Sequence, residues 1–357
     1  MEKVRVHAGG GYPVLIGDGL LKDCGGLLLD ALGAPCRIAV VADRNVAALY
    51  LDTVLASLER AGFSVFSYVF PAGESSKSMA MLAGLLEFLA ERRLTRTDCV
   101  AALGGGVTGD LAGFAAGCYL RGVRFVQLPT TLLAAVDSSV GGKTGVNLAV
   151  GKNLAGLFHQ PSAVLCDTDC IRSLPAEVFA DGVAEAAKTG VLKDESLFRL
   201  FETGGYQNCL PEVIARCVTI KGRIVDEDEF DNGGRRVLNL GHTIGHAIEK
   251  CSGYTMAHGH AVAVGMVMIA RAAERMKFCE EPCSERIAAA LLRCGLPVST
   301  DYTAAELAEA AVTDKKRTGG DITLVLPRKI GDCRLKKIPV GDLRSVIEAG
   351  EEVVPCR

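Results

Sequence analysis

Histidines are scarce in this chain and are concentrated in one short segment. Four of the six lie within nineteen residues, at His242, His246, His258 and His260. Imidazole nitrogens bind divalent metals and exchange protons near neutral pH, so this segment is the first candidate for chemistry. Spacing alone favours His242 and His246 as a metal-binding pair, because residues four positions apart share a helix face.

A polar stripe runs along the segment that contains these histidines. If 235–249 is a helix, spacings of 4, 3, 4 and 3 place one polar set on a single face: Arg235, Asn239, His242, His246 and Glu249. The other positions are largely apolar, so we expect a buried helix whose polar groups are paired or coordinate an ion. Gly241 and Gly245 would let another backbone or a ligand come close. A solvated helix face is the alternative interpretation.

Charged residues in two further segments are suited to binding or catalysis. Glu185 and Lys188 are three apart and share a helix face, although such a pair is most often a weak surface ion pair. Lys143 follows two glycines, and Lys152 with Asn153 follows Gly151. Lysines in glycine-flanked loops suit the capture of phosphate or carboxylate; flexible surface lysines are the alternative.

A glycine-rich turn indicates a dinucleotide site. Gly104, Gly106 and Gly109 form a GxGxxG pattern that follows an apolar strand and opens a helix. Glycines there let the backbone approach a pyrophosphate, although they also make tight turns without a ligand. No acid lies about 20 residues downstream, where a ribose-binding carboxylate is usual. Asp43, at the end of an earlier strand, is the candidate instead, and a helix N-cap is an equally good interpretation of it.

The elements that position these residues differ between the two halves. Apolar strands alternate with amphipathic helices up to about residue 130, which predicts a mostly parallel sheet. Past about residue 175 nearly all segments have helical spacing: 176–190, 210–229, 235–250, 260–277, 284–294 and 303–316, with one strand-like piece at 322–326. We predict a Rossmann-like α/β domain over 1–174 and a mainly α-helical domain over 175–357.

Composition excludes several classes of protein. The 357 residues have a net charge of −3, so no overall positive field attracts nucleic acid. The longest apolar run, 261–270, is short of the ~20 residues of a membrane helix. The amino-terminal residues have no apolar signal core. Fourteen cysteines are scattered without a CxxC pair, which favours reduced, buried thiols. We expect a cytoplasmic protein without nucleic-acid or membrane partners.

An ordered series of motifs extends over nearly the whole chain: PAGESSK (71–77), GGGVTGD (104–110), RGVRF (121–125), PTT (129–131), VDSSVGGKTGVN (136–147), GKN (151–153), AE with Lys188 (184–188), LNLGHTIGHA (238–247), HG (258–259) and DKK (314–316). Taken together, these motifs resemble the 3-dehydroquinate synthase family.

The resemblance implies a role for each matching residue. It assigns a zinc or cobalt ion to Glu185, His242 and His258, which makes His246 a catalytic or substrate-contacting residue. The residues that match positions contacting NAD are Asp43, Glu74, Lys77, Gly105, Gly106, Asp110, Thr130, Thr131 and Ser173, with Lys143, Lys152 and Asn153 shared between cofactor and substrate. The substrate pocket is completed by Asp137, Lys188, Lys221, Asp231, Arg235, Asn239, His246, Lys315 and Lys316. Arg121 matches an arginine that reaches the neighbouring subunit's site, which implies a homodimer.

The implied reaction converts 3-deoxy-D-arabino-heptulosonate 7-phosphate, a phosphorylated keto-acid sugar, into 3-dehydroquinate and phosphate with NAD regenerated. The chain departs from the family at Asp231, where Glu is usual, and at His260, also usually Glu, which leaves His260 open as an alternative ligand. The rival functions are another sugar-phosphate cyclase, such as 2-deoxy-scyllo-inosose synthase or a valiolone-type synthase, a metal-dependent glycerol or alcohol dehydrogenase, and a non-catalytic dinucleotide-binding protein.

Overall fold

The computed structural model describes residues 1–315 and 320–351. The chain divides into two compact units. The first consists of Met1–Pro175 and Ile214–Phe230, and the second of Ala176–Val213 and Asp231–Arg357. The domains 1–174 and 175–357 stay a prediction, and the compact units differ from them at Ile214–Phe230, which belongs to the first unit.

A seven-stranded sheet forms the centre of the first unit. Its strands, in chain order, are β1 (Glu2–Val6), β2 (Tyr12–Gly17), β3 (Arg37–Asp43), β4 (Ser64–Phe70), β5 (Cys99–Gly104), β6 (Arg124–Pro129) and β9 (Ala163–Asp167). Their order across the sheet is β1-β2-β9-β6-β5-β3-β4, and every neighbouring pair is parallel except β1 with β2. The predicted Rossmann-like, mostly parallel sheet is confirmed.

The helices of the first unit are α1 (Cys24–Leu32), α2 (Arg44–Val46), α3 (Asp52–Arg60), α4 (Met79–Glu91), α5 (Gly106–Cys118), α6 (Thr168–Arg172) and the part of α9 (Leu210–Glu227) that starts at Ile214. Residues of α1 and α3 share one hydrophobic cluster with the sheet, and residues of α4 and α5 share another. Val40 and Val41 of β3 are both fully buried but belong to two different hydrophobic clusters. This follows from the alternation of side chains along a strand, and it explains why β3 reads as a continuous apolar run.

A two-stranded hairpin, β7 (Lys143–Leu148) with β8 (Gly151–Phe158), completes the first unit. Sequence analysis did not predict it, because both strands are rich in glycine, lysine and asparagine, which are uncommon in strands. It contains Lys143, Lys152 and Asn153.

The second unit is mainly helical, as predicted. Its helices are α7 (Ala176–Lys193), α8 (Glu195–Thr203), α10 (His242–Cys251), α11 (His258–Arg275), α12 (Ser284–Arg293), α13 (Ala304–Lys315) and α14 (Leu343–Gly350). The predicted strand at 322–326 lies within β10 (Asp321–Lys329), which pairs with an unpredicted antiparallel strand, β11 (Asp332–Pro339). The short helices α8 and α14 were also not predicted.

The expectation of one continuous helix over 235–249 is wrong. Gly234–Asn239 forms a 3-10 helix, and α10 begins only at His242. Gly241 between them has a φ of 77°, a left-handed conformation that ends one helix and reorients the chain before the next.

The described residues can be compared with two predictions from composition, on membrane helices and on the cysteines. None of the helices described is both long and apolar enough to cross a membrane. All thirteen cysteines within the described ranges are free thiols, and eight of them are buried: Cys24, Cys99, Cys166, Cys170, Cys217, Cys283, Cys294 and Cys333.

Candidate active site

Three potential metal ligands from three helices converge in the second unit. Glu185 belongs to α7, whereas His242 and His258 are the first residues of α10 and α11. Glu185 Oε1 lies 3.7 Å from His242 Nε2 and 3.6 Å from His258 Nε2. One donor atom from each residue lies within 4.8 Å of the others, so the three side chains can share one ion.

Glycines at two helix crossings bring these ligands together. A Cβ added to Gly259, directly after His258, would lie 2.0 Å from the carbonyl oxygen of Asp181 in α7. A Cβ added to Gly265 of α11 would lie 2.1 Å from the carbonyl oxygen of Gly241, just before α10. Only residues without side chains permit such close backbone contact. The prediction that Gly241 and Gly245 admit another backbone is confirmed as well, because a Cβ added to them would lie 2.8 and 3.1 Å from backbone atoms of α11.

Hydrogen bonds orient both imidazoles towards Glu185. His242 Nδ1 lies 3.1 Å from the carbonyl oxygen of Leu240, and His258 Nδ1 lies 3.2 Å from Oε2 of the buried Glu249. These partners accept a proton from Nδ1, so Nε2, the atom of each ring that faces Glu185, is the nitrogen available to a metal ion. Outer partners of this kind fix the orientation of histidine ligands in metal sites.

Glu185 is almost fully buried and has one oxygen without a partner. Its Oε2 forms an ion pair with Lys188, and the side chains of these two residues are 1% and 2% exposed. A weak surface ion pair is thereby excluded. Oε1 accepts no hydrogen bond from any described residue. Leaving a buried carboxylate oxygen unsatisfied costs about 1–3 kcal/mol or more, so a cation at this point would stabilise the site. One carboxylate and two imidazoles fit a divalent metal with open coordination positions.

The charges around the group set its protonation. Burial alone would raise the pKa of Glu185, but Lys188 and the two imidazoles hold that pKa well below its usual range. Burial and the charge of Lys188 hold the pKa of His242 well below its usual range, so this imidazole is neutral. Burial opposes protonation of His258, but the nearby carboxylates of Glu185 and Glu249 outweigh it and raise the pKa to about 10.

The remaining two histidines of the segment have different neighbours. The His246 ring centroid is 5.3 Å from that of His242 and 5.8 Å from that of His258, and its side chain is exposed. His260 faces Asp181, with 3.4 Å between Nδ1 and Oδ1. The same Asp181 oxygen accepts the backbone N–H of Gly259 at 2.6 Å, which holds the start of α11 in place.

Other predicted residues of the second unit are spread over the chain segments next to α10. Arg235 is buried in the 3-10 helix, and Asn239 is exposed at its end. Asp231 has a φ of 56°. Lys315 is the last residue of α13, and Lys316 lies outside the described residues.

The glycine-rich turn of the first unit joins β5 to α5. Gly105 is the N-cap residue and α5 begins at Gly106, so unpaired helix N–H groups face the end of the strand. Thr130, after the neighbouring strand β6, donates its backbone N–H to the carbonyl oxygen of Gly104 at 3.0 Å. Its buried Oγ1 has no partner among the described residues. A helix amino terminus with an available hydroxyl fits a nucleotide phosphate.

A polar network connects this turn region to the hairpin. Lys77 Nζ lies 2.5 Å from both Asp110 Oδ2 and Asn153 Oδ1. Asn147 donates from Nδ2 to Glu74 at 2.7 Å and accepts the backbone N–H of Asn153 at 2.8 Å. Burial raises the pKa of Asp110, and Lys77 opposes that shift. Four predicted cofactor residues are thus adjacent, and Asn147 is a fifth member to which sequence analysis gave no role.

Three further predicted residues of the first unit have identifiable partners. Asp43 Oδ1 accepts the backbone N–H groups of Asn45 and Val46 at 2.9 and 3.1 Å, so the N-cap interpretation is confirmed, and the ribose role stays a prediction. Lys221 forms an ion pair with Asp137 at 2.8 Å. Two other cofactor candidates have hydrogen-bond partners: Thr131 Oγ1 accepts the N–H of Ala134, and Ser173 Oγ lies 2.8 Å from the Tyr50 hydroxyl. The three remaining cations differ in exposure. Lys143 is exposed, Lys152 is partly exposed, and Arg121 is exposed in a turn after Leu120.

Comparisons with known proteins cover almost the whole chain. The family model described as 3-dehydroquinate synthase N-terminal matches residues 67–181, and 3-dehydroquinate synthase C-terminal matches residues 182–317. The 3-dehydroquinate synthase of Streptococcus sanguinis is 43% identical, covering 94% of this chain and 97% of its own length. That of Pelobacter propionicus is 44% identical, covering 93% and 95%.

A solved structure agrees with this assignment at the level of the superfamily. The 2-epi-5-epi-valiolone synthase of Streptomyces hygroscopicus, with NAD+ and Zn2+ bound, superimposes with a TM-score of 0.85. It is 27% identical and covers 95% of this chain and 96% of its own. With both family models and near-complete relatives above 40% identity, the chain belongs to the 3-dehydroquinate synthase family.

Proposed function

We propose that this protein converts 3-deoxy-D-arabino-heptulosonate 7-phosphate into 3-dehydroquinate and phosphate, a step of the shikimate pathway. The observation that carries the proposal is the convergence of Glu185, His242 and His258, with the unpartnered Oε1 of Glu185, in a chain of this family. The reaction is redox-neutral overall: oxidation of one hydroxyl, elimination of phosphate, re-reduction, and ring opening followed by an intramolecular aldol closure.

Two cofactors are part of the proposal. Glu185, His242 and His258 would hold zinc or cobalt, and the unpartnered hydroxyl of Thr130 and the network around Lys77 support NAD binding in the first unit. When bound, the metal ion supplies Lewis acidity at the hydroxyl to be oxidised, and NAD accepts and returns a hydride.

The chain's own residues bind and orient the substrate and move protons. Lys188, buried against Glu185, supplies a fixed positive charge that stabilises a developing alkoxide. His246, exposed beside the metal group, is positioned to exchange a proton with solvent or substrate. The phosphate and carboxylate of the substrate require several cations. We assign this binding to Lys143, Lys152, Asn153, Lys221, Arg235, Asn239, Lys315 and Lys316, and place Asp137, which is ion-paired with Lys221, and Asp231 in the same pocket.

A homodimer in the cytoplasm is the expected state of the enzyme. Arg121 lies in an exposed turn that is held by a hydrogen bond from Arg96 Nε to the carbonyl oxygen of Leu120 at 3.3 Å. Its exposure supports a contact with a neighbouring subunit. If Arg121 acts in the neighbouring site, mixing inactive Arg121→Ala and Lys188→Ala subunits restores activity in the mixed dimer. Activity that stays absent after subunit exchange would contradict this role.

The decisive experiment measures phosphate release and 3-dehydroquinate formation from the heptulosonate phosphate, with and without NAD and a chelator. We expect phosphate and 3-dehydroquinate in equal amounts and no net NADH. After chelation, neither product should form. Net NADH would favour the dehydrogenase alternative. Turnover of a hexose 6-phosphate without a carboxylate, in place of the heptulosonate, would favour another sugar-phosphate cyclase.

A further inference from the structure

A second group of metal-binding side chains lies at the opposite end of α11. Glu274 is in the last turn of this helix, Cys279 is in the following loop, and Cys283 directly precedes α12. One donor atom from each lies within 4.8 Å of the others. Helical rise separates Glu274 from His258 by about 24 Å, so this group is distinct from the Glu185 site.

Glu274 already has a structural role that leaves room for an ion. One carboxylate oxygen accepts the backbone N–H groups of Cys283 and Ser284 at 2.6 and 2.7 Å, and the other accepts the Ser284 hydroxyl at 2.7 Å. The carboxylate thereby caps the start of α12. An ionised carboxylate has about four acceptor positions, so one remains for a cation without loss of the cap.

The two sulfurs differ in exposure. Cys283 is 2% exposed, whereas Cys279 is partly exposed and its Sγ lies 3.0 Å from the carbonyl oxygen of Pro327. Packing accounts for the buried sulfur and the cap on α12 accounts for the carboxylate, and a shared cation would use the proximity of all three donor atoms, which lie within 4.8 Å of one another. Electron-rich donor atoms are stable at such separations when a cation lies between them.

We propose that Glu274, Cys279 and Cys283 bind a thiophilic divalent cation of the class that includes Zn2+ and Cd2+. Two thiolates with one carboxylate favour these ions over Mg2+ and Ca2+, which prefer oxygen ligands. Each thiol releases its proton to solvent as its sulfur–metal bond forms, and no electrons are transferred. The cation joins the end of α11 to the start of α12.

Cadmium titration of the full-length, reduced protein, loaded with its first metal and with NAD, tests this site. The Glu185 site contains no sulfur, so the ultraviolet thiolate-to-cadmium absorption does not report binding there. We expect the band to saturate at one equivalent of Cd2+ in the wild-type protein and in Cys251→Ser, a control at another partly exposed cysteine. Cys279→Ser and Cys283→Ser should lack the band at one equivalent.

Thermal unfolding provides an independent measurement. Cd2+ should raise the Tm of the wild-type protein and of Cys251→Ser but not that of Cys279→Ser. The ion stabilises the folded state only where the site that binds it is intact. Should Cys283→Ser fail to fold, Cys279→Ser decides the question, since Cys279 is not fully buried. A wild-type protein without the band at one equivalent, or Cys279→Ser with the full band, would overturn the proposal.

Discussion

Glu249 of α10 lies 3.2 Å from Nδ1 of His258 at the start of α11, with its carboxylate buried at 4% exposure. This pairing connects Glu249 to an imidazole whose pKa is raised to about 10. Glu249 is therefore a positioning residue for the proposed metal site, and the first prediction concerns it.

Glu249→Gln should weaken metal binding by about 10- to 100-fold, because the amide accepts the Nδ1 proton less strongly and no longer fixes the ring. Competition with a chromophoric chelator measures the affinity directly. Glu306→Gln, at an exposed position, is the control and should bind metal like the wild-type protein. Unchanged affinity in Glu249→Gln would show that the carboxylate does not position His258.

Lys188→Ala should lower kcat by about 100-fold or more, because it removes a fixed positive charge from the proposed site of alkoxide formation. NAD binding should change little, because the predicted NAD residues belong to the first unit. Steady-state kinetics and NAD titration measure the two effects, with Lys193→Ala, at the exposed end of the same helix, as control. Near-wild-type kcat would exclude a catalytic role for Lys188.

Gly259→Ala should reduce both stability and metal content. The added methyl group would lie 2.0 Å from the carbonyl oxygen of Asp181, so the start of α11 must move and carry His258 with it. Gly26→Ala, where a Cβ has open space, is the matched control, and this change within α1 should stabilise by about 0.5–1 kcal/mol. Urea unfolding and metal analysis of the purified proteins test both. Full metal occupancy with unchanged stability in Gly259→Ala would contradict the role of this close contact.

Asn147→Ala should weaken NAD binding, since it removes hydrogen bonds to Glu74 and Asn153, each worth about 0.5–1.5 kcal/mol. Metal affinity should not change, because the proposed ligands belong to the other unit. Isothermal titration with NAD is the measurement, and the exposed Asn208→Ala is the control. An unaltered NAD affinity would remove Asn147 from the cofactor site.

Sequence patterns predicted the elements whose burial is uniform and missed those whose role depends on tertiary contacts. The apolar run of β3 was readable because both faces of the strand are covered. Glu249 shared the predicted stripe with His242, but its partner His258 follows in a separate helix, and periodicity does not report contacts between helices. The burial of Glu185 and Lys188 was also missed; the flanking Ala184, Ala186 and Ala187, all buried, were an available signal for close helix packing.

The supply of metal to this protein should affect its abundance as well as its activity. Glu185, His242 and His258 come from three helices that pack through glycines, so an ion held by all three cross-links α7, α10 and α11. A cell that lacks this metal would be left with chains whose helical unit opens more often. We expect proteases to cleave such chains there first, before the parallel sheet is lost.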